Sequence, residues 1–404
     1  MKYDFDKILP RESTDSIKWE YRSTPKGAIK WDATSASKGA DRVLPMWVAD
    51  MDFECAPAII AAFKARIEHP IFGYTGKSDE YYGAVTNWMK SRHNWDIKPE
   101  WISTSPGVVP ALAMLIRVFS DKGNAVLVQR PVYYPFMRSI EANGRSVVSN
   151  SLVLENGGYH IDFDDLEKKA ANPKVTMAIL CNPHNPVGRI WRPDELRQIG
   201  EILISNGVTV ISDEIHCDLI MKGHTFTPFA SISDEFAQNS VTCTAPSKTF
   251  NLAGLHNSNL ITPNRELKAK VDGEIGASGL FGISPFSAEA TIAAYNESGD
   301  WLDKALEYIE GNYKFLSNYV SENIPELTVL PLEGTYLAWI DCRKLALDKD
   351  QLEDLMLNKA GIYFDEGYIF GEEGEGFERI NLACPRSIVE DAAHRIAKVV
   401  SDLR

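Results

Sequence analysis

The 404-residue sequence has no apolar run long enough to cross a bilayer. Its first residues, MKYDFDKILPREST, lack the apolar stretch of a secretory signal. There is no C-x-x-C pair: the six cysteines (Cys55, Cys181, Cys217, Cys243, Cys342 and Cys384) are scattered, most of them in apolar runs. They read as buried free thiols of a reducing compartment, so a cytoplasmic protein without a membrane partner is expected. Basic residues are not in excess. The formal net charge of -14 argues against a nucleic-acid partner, which would need a basic face. The Glu214-Ile215-His216 stretch lacks the second histidine of an H-E-x-x-H zinc site, so no metal is expected. Low-complexity tracts and internal repeats are missing too.

The length suits two domains, or one large α/β domain with a cap. The middle of the chain alternates short β-branched runs with helical patterns. Strands are expected at 101–105 (WISTS), 125–129 (AVLVQ), 175–181 (VTMAILC), 208–212 (VTVIS), 241–245 (VTCTA) and 259–262 (NLIT). Helices are expected at 107–120 and 192–206, with Pro110 tolerable in a first turn. Apolar strands separated by helices predict an α/β fold, its central sheet mostly parallel and covered by helices on both faces. Beyond about residue 290 the pattern changes to one long helical stretch, a strand in 335–342 and helices near 349–360 and 387–403. This reads as a smaller α+β domain. The boundaries expected are 50–289 for the large domain, and 1–49 with 290–404 for the small one. The N-terminal 45 or so residues pack on the second domain or on a partner subunit.

In such sheets ligands bind outside the carboxyl ends of the strands, and the unusual residues gather there. After the first strand, Gly107 allows close approach of the backbone, and the amides of Val108 and Val109 open a helix. That is a ready anion site, or an ordinary strand-to-helix turn. After the second strand come Tyr133 and Tyr134, able to stack on a planar ligand or to fill the core. After the third, NPHNPVG doubles an Asn-Pro pair around Asn182 and Asn185, which turn chemistry alone could explain. Asp213 follows a buried run and needs a partner, or its pKa rises.

Lys248, in TCTAPSKTFNLAG, has no charged neighbour. It snorkels to water from a loop, or it is a lysine made nucleophilic by desolvation. A P-loop is excluded, because residues 240–247 contain no glycine. Beside a buried aspartate, an anion cradle and a stacking ring, the lysine fits one ligand class. That ligand is a phosphorylated aromatic aldehyde with a basic ring nitrogen, pyridoxal phosphate. Lys248 would form its Schiff base, and Asp213 would keep the ring nitrogen protonated.

The chain resembles the fold-type I pyridoxal-phosphate enzymes nearly end to end, and most closely the cystalysin-like β-C–S lyase branch of the class I/II aminotransferases. The resemblance rests on MWVADMDF (46–53), FGYTG (72–76), GVVPA, PVYYPF, NPHNPVGR, SDEIH, APSKTFNLAG, EGTYLAWID, FDEGYIFG (364–371) and FERINLACP (377–385), in that order. It implies that Lys248 acts as base at Cα, Asp213 pairs with the ring nitrogen, Asn185 bonds the ring hydroxyl and Tyr133 stacks on the ring. It implies that Gly107, Val108, Val109 and Ser247 hold the phosphate, with Tyr74 reaching it from the neighbouring subunit of an obligate homodimer. Arg379 would grip the substrate carboxylate in a two-pronged contact, with Arg386, otherwise a surface arginine at a helix start, as the fallback. Two departures from the aminotransferase pattern stand out. His216 replaces a tyrosine against the ring hydroxyl, and His256 replaces an arginine against the phosphate. The implied activity is β-elimination from cystathionine, cystine or cysteine, giving pyruvate, ammonia and a thiol, with Tyr134 on the sulfur side or in the core. Transamination, or regulation through a protein partner, are the alternatives.

Overall fold

The computed structural model describes residues 3–24, 27–31 and 43–403. Seven strands form the central sheet: β1 (Ile102–Ser105), β2 (Ala125–Val128), β3 (Ser146–Ser149), β4 (Val175–Cys181), β5 (Thr209–Asp213), β6 (Ser240–Thr244) and β7 (Ser258–Ile261). Their order is β1-β7-β6-β5-β4-β2-β3. The pairings are parallel except those of β7, which runs antiparallel to both neighbours. The alternation of side chains along a strand explains the apolar runs. Val126, Val128, Met177 and Ile179 join one core, while Ala125, Leu127, Ala178 and Leu180 join another on the opposite face. The helix Val108–Phe119 buries Val108, Ala111, Leu112, Leu115 and Ile116, a 3.6-residue stripe, in the first core. The helix Pro193–Ser205 buries Leu196, Ile199 and Leu203 in the second.

A smaller antiparallel sheet has the order β8-β9-β11-β10, from β8 (Thr328–Val329), β9 (Leu337–Asp341), β10 (Asp365–Glu366) and β11 (Phe377–Asn381). The helices Gly299–Asn323 and Arg386–Ser401 share a core with it through Ile309, Leu316, Val389 and Ile396. The long helical stretch expected after residue 290 is two helices, Pro285–Glu297 and Gly299–Asn323, separated at Ser298 (φ -109°, ψ 11°). The Ser298 hydroxyl donates to the Ala293 carbonyl, and Gly299 follows. A serine that competes for backbone acceptors, next to a residue of low helix propensity, breaks a helix that apolar spacing alone would carry through.

The described part of the N-terminal segment packs on the C-terminal half. Phe5 lies against Phe53, Trp301 and Tyr308, and Leu44–Pro45 pairs in parallel with Ile362–Tyr363. Residues 32–42 of that segment lie outside the described residues. No helix among the described residues is long and apolar enough to cross a membrane.

Candidate active site

The carboxyl ends of β1, β2, β4 and β5 and the turn after β6 surround one cavity of about 250 Å³. Gly107, Val108 and Val109 line it from the first, Tyr133 from the second and Asn185 from the third. Asp213 and His216 line it from the fourth, Ser247 and Lys248 from the fifth. Topology therefore brings together residues that lie from Gly107 to Lys248 along the chain, as expected for a sheet whose loops share one end.

The sides of the cavity differ in charge. At the helix Val108–Phe119, the first amides have no acceptor within the helix, and the helix dipole places positive potential there. Gly107 caps this helix at φ +139°, a conformation open to glycine and strained for other residues. The same cavity is lined by Asp213, 4% exposed, with one protein partner, the Ile215 N–H to Oδ1 at 3.1 Å. Burial pushes its carboxyl up to about 7, against the pull of the Ile215 amide and the Lys248 charge. Burial likewise pulls the Lys248 ammonium down to about 8, with Asp50 the largest opposing charge. Lys248 Nζ donates to the backbone carbonyl of Ala49 at 2.7 Å.

Asn185 accepts from Arg379 Nη1 at 3.0 Å through Oδ1, which leaves its amide N–H₂ to donate. Its carbonyl accepts from the Tyr133 N–H at 3.0 Å, so two walls of the cavity are tied together. Burial raises the Tyr133 hydroxyl to about 12, which keeps it protonated. The His216 Nδ1 is buried without a hydrogen-bond partner, and burial and the nearby cations hold the ring neutral.

Four expected site residues lie elsewhere. Arg379 is buried behind the cavity wall. Its Nη2 bonds the Trp47 carbonyl at 2.8 Å and pairs with Asp365, while Nε has no partner. Tyr134 packs against Phe370 with the Arg138 guanidinium over its ring, and is not on the cavity wall. Tyr74 is fully exposed. Arg386 begins the last helix and bonds Asn312 Oδ1 at 2.7 Å, away from the cavity. His256, at φ +54°, reaches the rim.

Sequence reasoning missed the Ala49 carbonyl, since a backbone acceptor leaves no side-chain signal. It also missed Asp365, which is placed opposite Arg379 by the register of β10 against β11. Among the described residues, His93, Cys217 and Asp218 form one cluster of metal-ligand type. The Asp218 carboxylate there is filled by His93 Nε2, Trp88 Nε1 and the Thr249 hydroxyl at 2.7–2.9 Å, which makes it a hydrogen-bonded hub between helices.

This fold and this cavity define a family. Residues 42–396 match the aminotransferase class I and II model, and the chain belongs to that family. The architecture is the type I pyridoxal-phosphate-dependent transferase fold. Among its relatives is cystathionine beta-lyase PatB of Bacillus subtilis (strain 168), 45% identical over 98% of this chain and 100% of the other. Protein MalY of Escherichia coli (strain K12) is 32% identical over the full length of both chains. The solved structure of cystalysin from Treponema denticola, which contains a pyridoxal 5'-phosphate cofactor, is 39% identical, with a TM-score of 0.94 over all of both chains.

Proposed function

We propose that this protein is a pyridoxal 5'-phosphate-dependent β-C–S lyase acting on cystathionine, cystine or cysteine-type amino acids. The observation that carries the cofactor assignment is the convergence of Lys248 and Asp213, both desolvated, on one cavity that a helix N-terminus also lines. The choice of lyase over transferase is supported by the relatives named cystathionine beta-lyase.

The cavity fits this cofactor by its unfilled polar groups. Asp213 has an oxygen without a protein donor, suited to a protonated ring nitrogen. The Asn185 amide is free to donate to a ring hydroxyl, and the buried His216 Nδ1 lacks a partner beside it. The amides of Val108 and Val109, with the Ser247 hydroxyl, suit a phosphate. Tyr133 offers its ring to the cofactor's face.

When bound, pyridoxal phosphate supplies a ring that withdraws electrons from the α-carbon of an amino acid. Lys248 contributes a proton acceptor there. With its pKa near 8, a useful fraction of Nζ is neutral at pH 7–8, and the amine can take the proton from Cα. A thiol has a pKa of about 8.5, so a thiolate leaves Cβ with little help from an acid. Arg379 sits behind the wall with its fork held by Asp365 and the Trp47 carbonyl. In our reading it turns toward the substrate carboxylate and keeps Asp365 as its counter-charge.

We read the exposed face carrying Ile67, Ile71, Phe72, Tyr74 and Phe281 as a subunit interface. Phe72 stacks on Phe286, and Thr75 bridges Ile283, so the two segments form one apolar surface. A homodimer would bring Tyr74 to the partner's phosphate. Residues 50–289, and 1–49 with 290–404, are the two bodies of each subunit in this reading, which the separate sheets support. Six free cysteines accord with work in the cytoplasm.

The test is purified protein with L-cystathionine and no keto acid, following pyruvate, ammonia, thiol and the cofactor's visible absorption. Equal pyruvate and thiol over many turnovers, with a steady spectrum, is the expected result. A single spectral change that recovers only on adding keto acid would assign an aminotransferase instead.

A further inference from the structure

The segment 46–52 passes over Lys248 without secondary structure, yet nearly every polar group in it is held. Asn381 donates to the carbonyls of Val48 and Asp50 at 2.7 and 2.6 Å. Asn251 exchanges two bonds of 2.9 Å with the backbone of Met51. The Ala49 carbonyl accepts both Lys248 Nζ at 2.7 Å and the Tyr336 hydroxyl at 2.8 Å.

The side chains of this strap are gripped from the other direction, by the first twenty residues. Arg11 forms a two-pronged pair with Asp50, at 2.9 and 2.8 Å, and reaches Asp52 at 2.8 Å. Lys18 is 1% exposed and pairs with Asp52 Oδ2 at 2.7 Å, and the Trp19 indole N–H donates to Asp52 Oδ1. The Lys18 carbonyl accepts the Trp47 indole at 3.0 Å, which closes a ring of contacts. A buried lysine with its charge matched at close range fixes geometry, because breaking the pair would leave an uncompensated ion.

We infer that the N-terminal segment is a positioning element of the active site: Arg11 and Lys18 hold the 46–52 strap, and through the Ala49 carbonyl and the Asp50 charge they set the place and proton affinity of Lys248 Nζ. This rests on the assignment of Lys248 as the cofactor lysine. The charged groups that bear on Nζ are Asp50, Arg379, Asp213 and Asp365. Asp50 belongs to the strap itself, and Arg11 is its counter-charge. Removing Arg11 leaves more of the negative charge of Asp50 to act on Nζ, so the protonated form gains. The same sign follows for Lys18, whose Nζ lies 3.8 Å from Asp50 Oδ1. The two side chains are therefore positioning residues, acting through Ala49 and Asp50.

The experiment is a pH titration of the visible absorption of the bound cofactor in holoenzyme, which reads the protonation state at Lys248 Nζ without any turnover. It compares wild type, Arg11→Met, Arg11→Lys and Lys18→Met. Arg11 is partly exposed, so its variants keep the test valid if Lys18→Met fails to fold. For Arg11→Met we expect the apparent pKa to rise by about half a unit or more, the displacement of one poorly screened charge. Its kcat should fall by about tenfold while KM changes by less than threefold. For Arg11→Lys the pKa should stay near wild type, because the charge is kept, while kcat falls partway, because the fork is lost. A folded Arg11→Met enzyme with an unmoved titration and an unchanged kcat would overturn the inference. A wild-type holoenzyme with no titrating visible absorption would instead overturn the cofactor-lysine assignment on which it rests.

Discussion

Asp52 and Asp213 are buried almost equally, at 6% and 4% exposed, and the chain treats them in opposite ways. Asp52 is surrounded by Lys18, Arg11 and the Trp19 indole, which outweigh burial and hold its carboxyl below the usual range. Asp213 has one backbone amide and a lysine that makes no hydrogen bond to it, so burial wins and its carboxyl rises to about 7. The N-terminal clamp is saturated and the cavity is not. A saturated buried charge fixes a backbone, whereas an unsatisfied one holds free energy in reserve for a ligand that brings the missing donor.

The strongest test of the unsaturated side is Lys248→Ala. It should lower kcat by about 10³-fold or more and change the visible absorption of the bound cofactor, as checked by turnover and absorbance on the same sample. Next comes the saturated side. Asp52→Asn strands Lys18 in the interior and should cost about 3–5 kcal/mol in urea unfolding at pH 7. The Asp52 contribution belongs to its ionised form. It is fully present above the unfolded value of about 3.9 and disappears as pH falls through the lower folded value, so the penalty of the variant should shrink in that acid window.

The same change at Asp213 should have the opposite sign in apoprotein. The wild-type carboxyl is protonated in both states below about pH 3.9, and there Asp213→Asn should be neutral. Between that value and about 7 the folded form retains a proton the unfolded form has lost, so wild-type stability declines as pH rises. Asp213→Asn should therefore be the more stable apoprotein near pH 7.5, by no more than about 4 kcal/mol, while its holoenzyme turns over far more slowly. Equal unfolding curves for the two apoproteins would break the comparison. The smallest effect belongs to Tyr134→Phe. Its ring packs on Phe370 outside the cavity, so steady-state kcat and KM should stay within about twofold of wild type.

Much of this was legible in the residues. The run VTMAILC is apolar on both faces, and a strand buried on both faces leaves that signature wherever it sits, whereas SVTCT sends only Val241 and Cys243 into an apolar core. The strand-end residues could be lined up because the topology of parallel sheets puts them at one edge. What escaped notice was short or non-local. Strand β3 is four residues with polar ends, too brief for a pattern. The hairpin Val153–Glu155 with Gly158–His160 turns at Asn156-Gly157, both at positive φ, a turn signal present in the sequence but flanked by strands of only three residues. Tyr134 and Arg379 were identified by type, but where a side chain points depends on neighbours far along the chain, Phe370 for one and Asp365 for the other. The break at Ser298 shows that apolar spacing does not reveal a serine bonding back into its own helix.

The strap over Lys248 also has a consequence for how the protein is made. Asp52 bonds the backbone of Ala383, Met46 bonds that of Asn381, and Leu44–Pro45 lies beside Ile362–Tyr363. These partners lie more than 300 residues apart along the chain, and synthesis runs from the N-terminus. The carbonyl on which Lys248 Nζ rests cannot be locked until the ribosome has nearly finished. A chain released early would carry Lys248 and the central sheet, but its strap would keep only the contacts to the N-terminal residues and Asn251 and lack those to Tyr336, Asn381 and Ala383. The last contacts that fix the centre thus form only as translation ends.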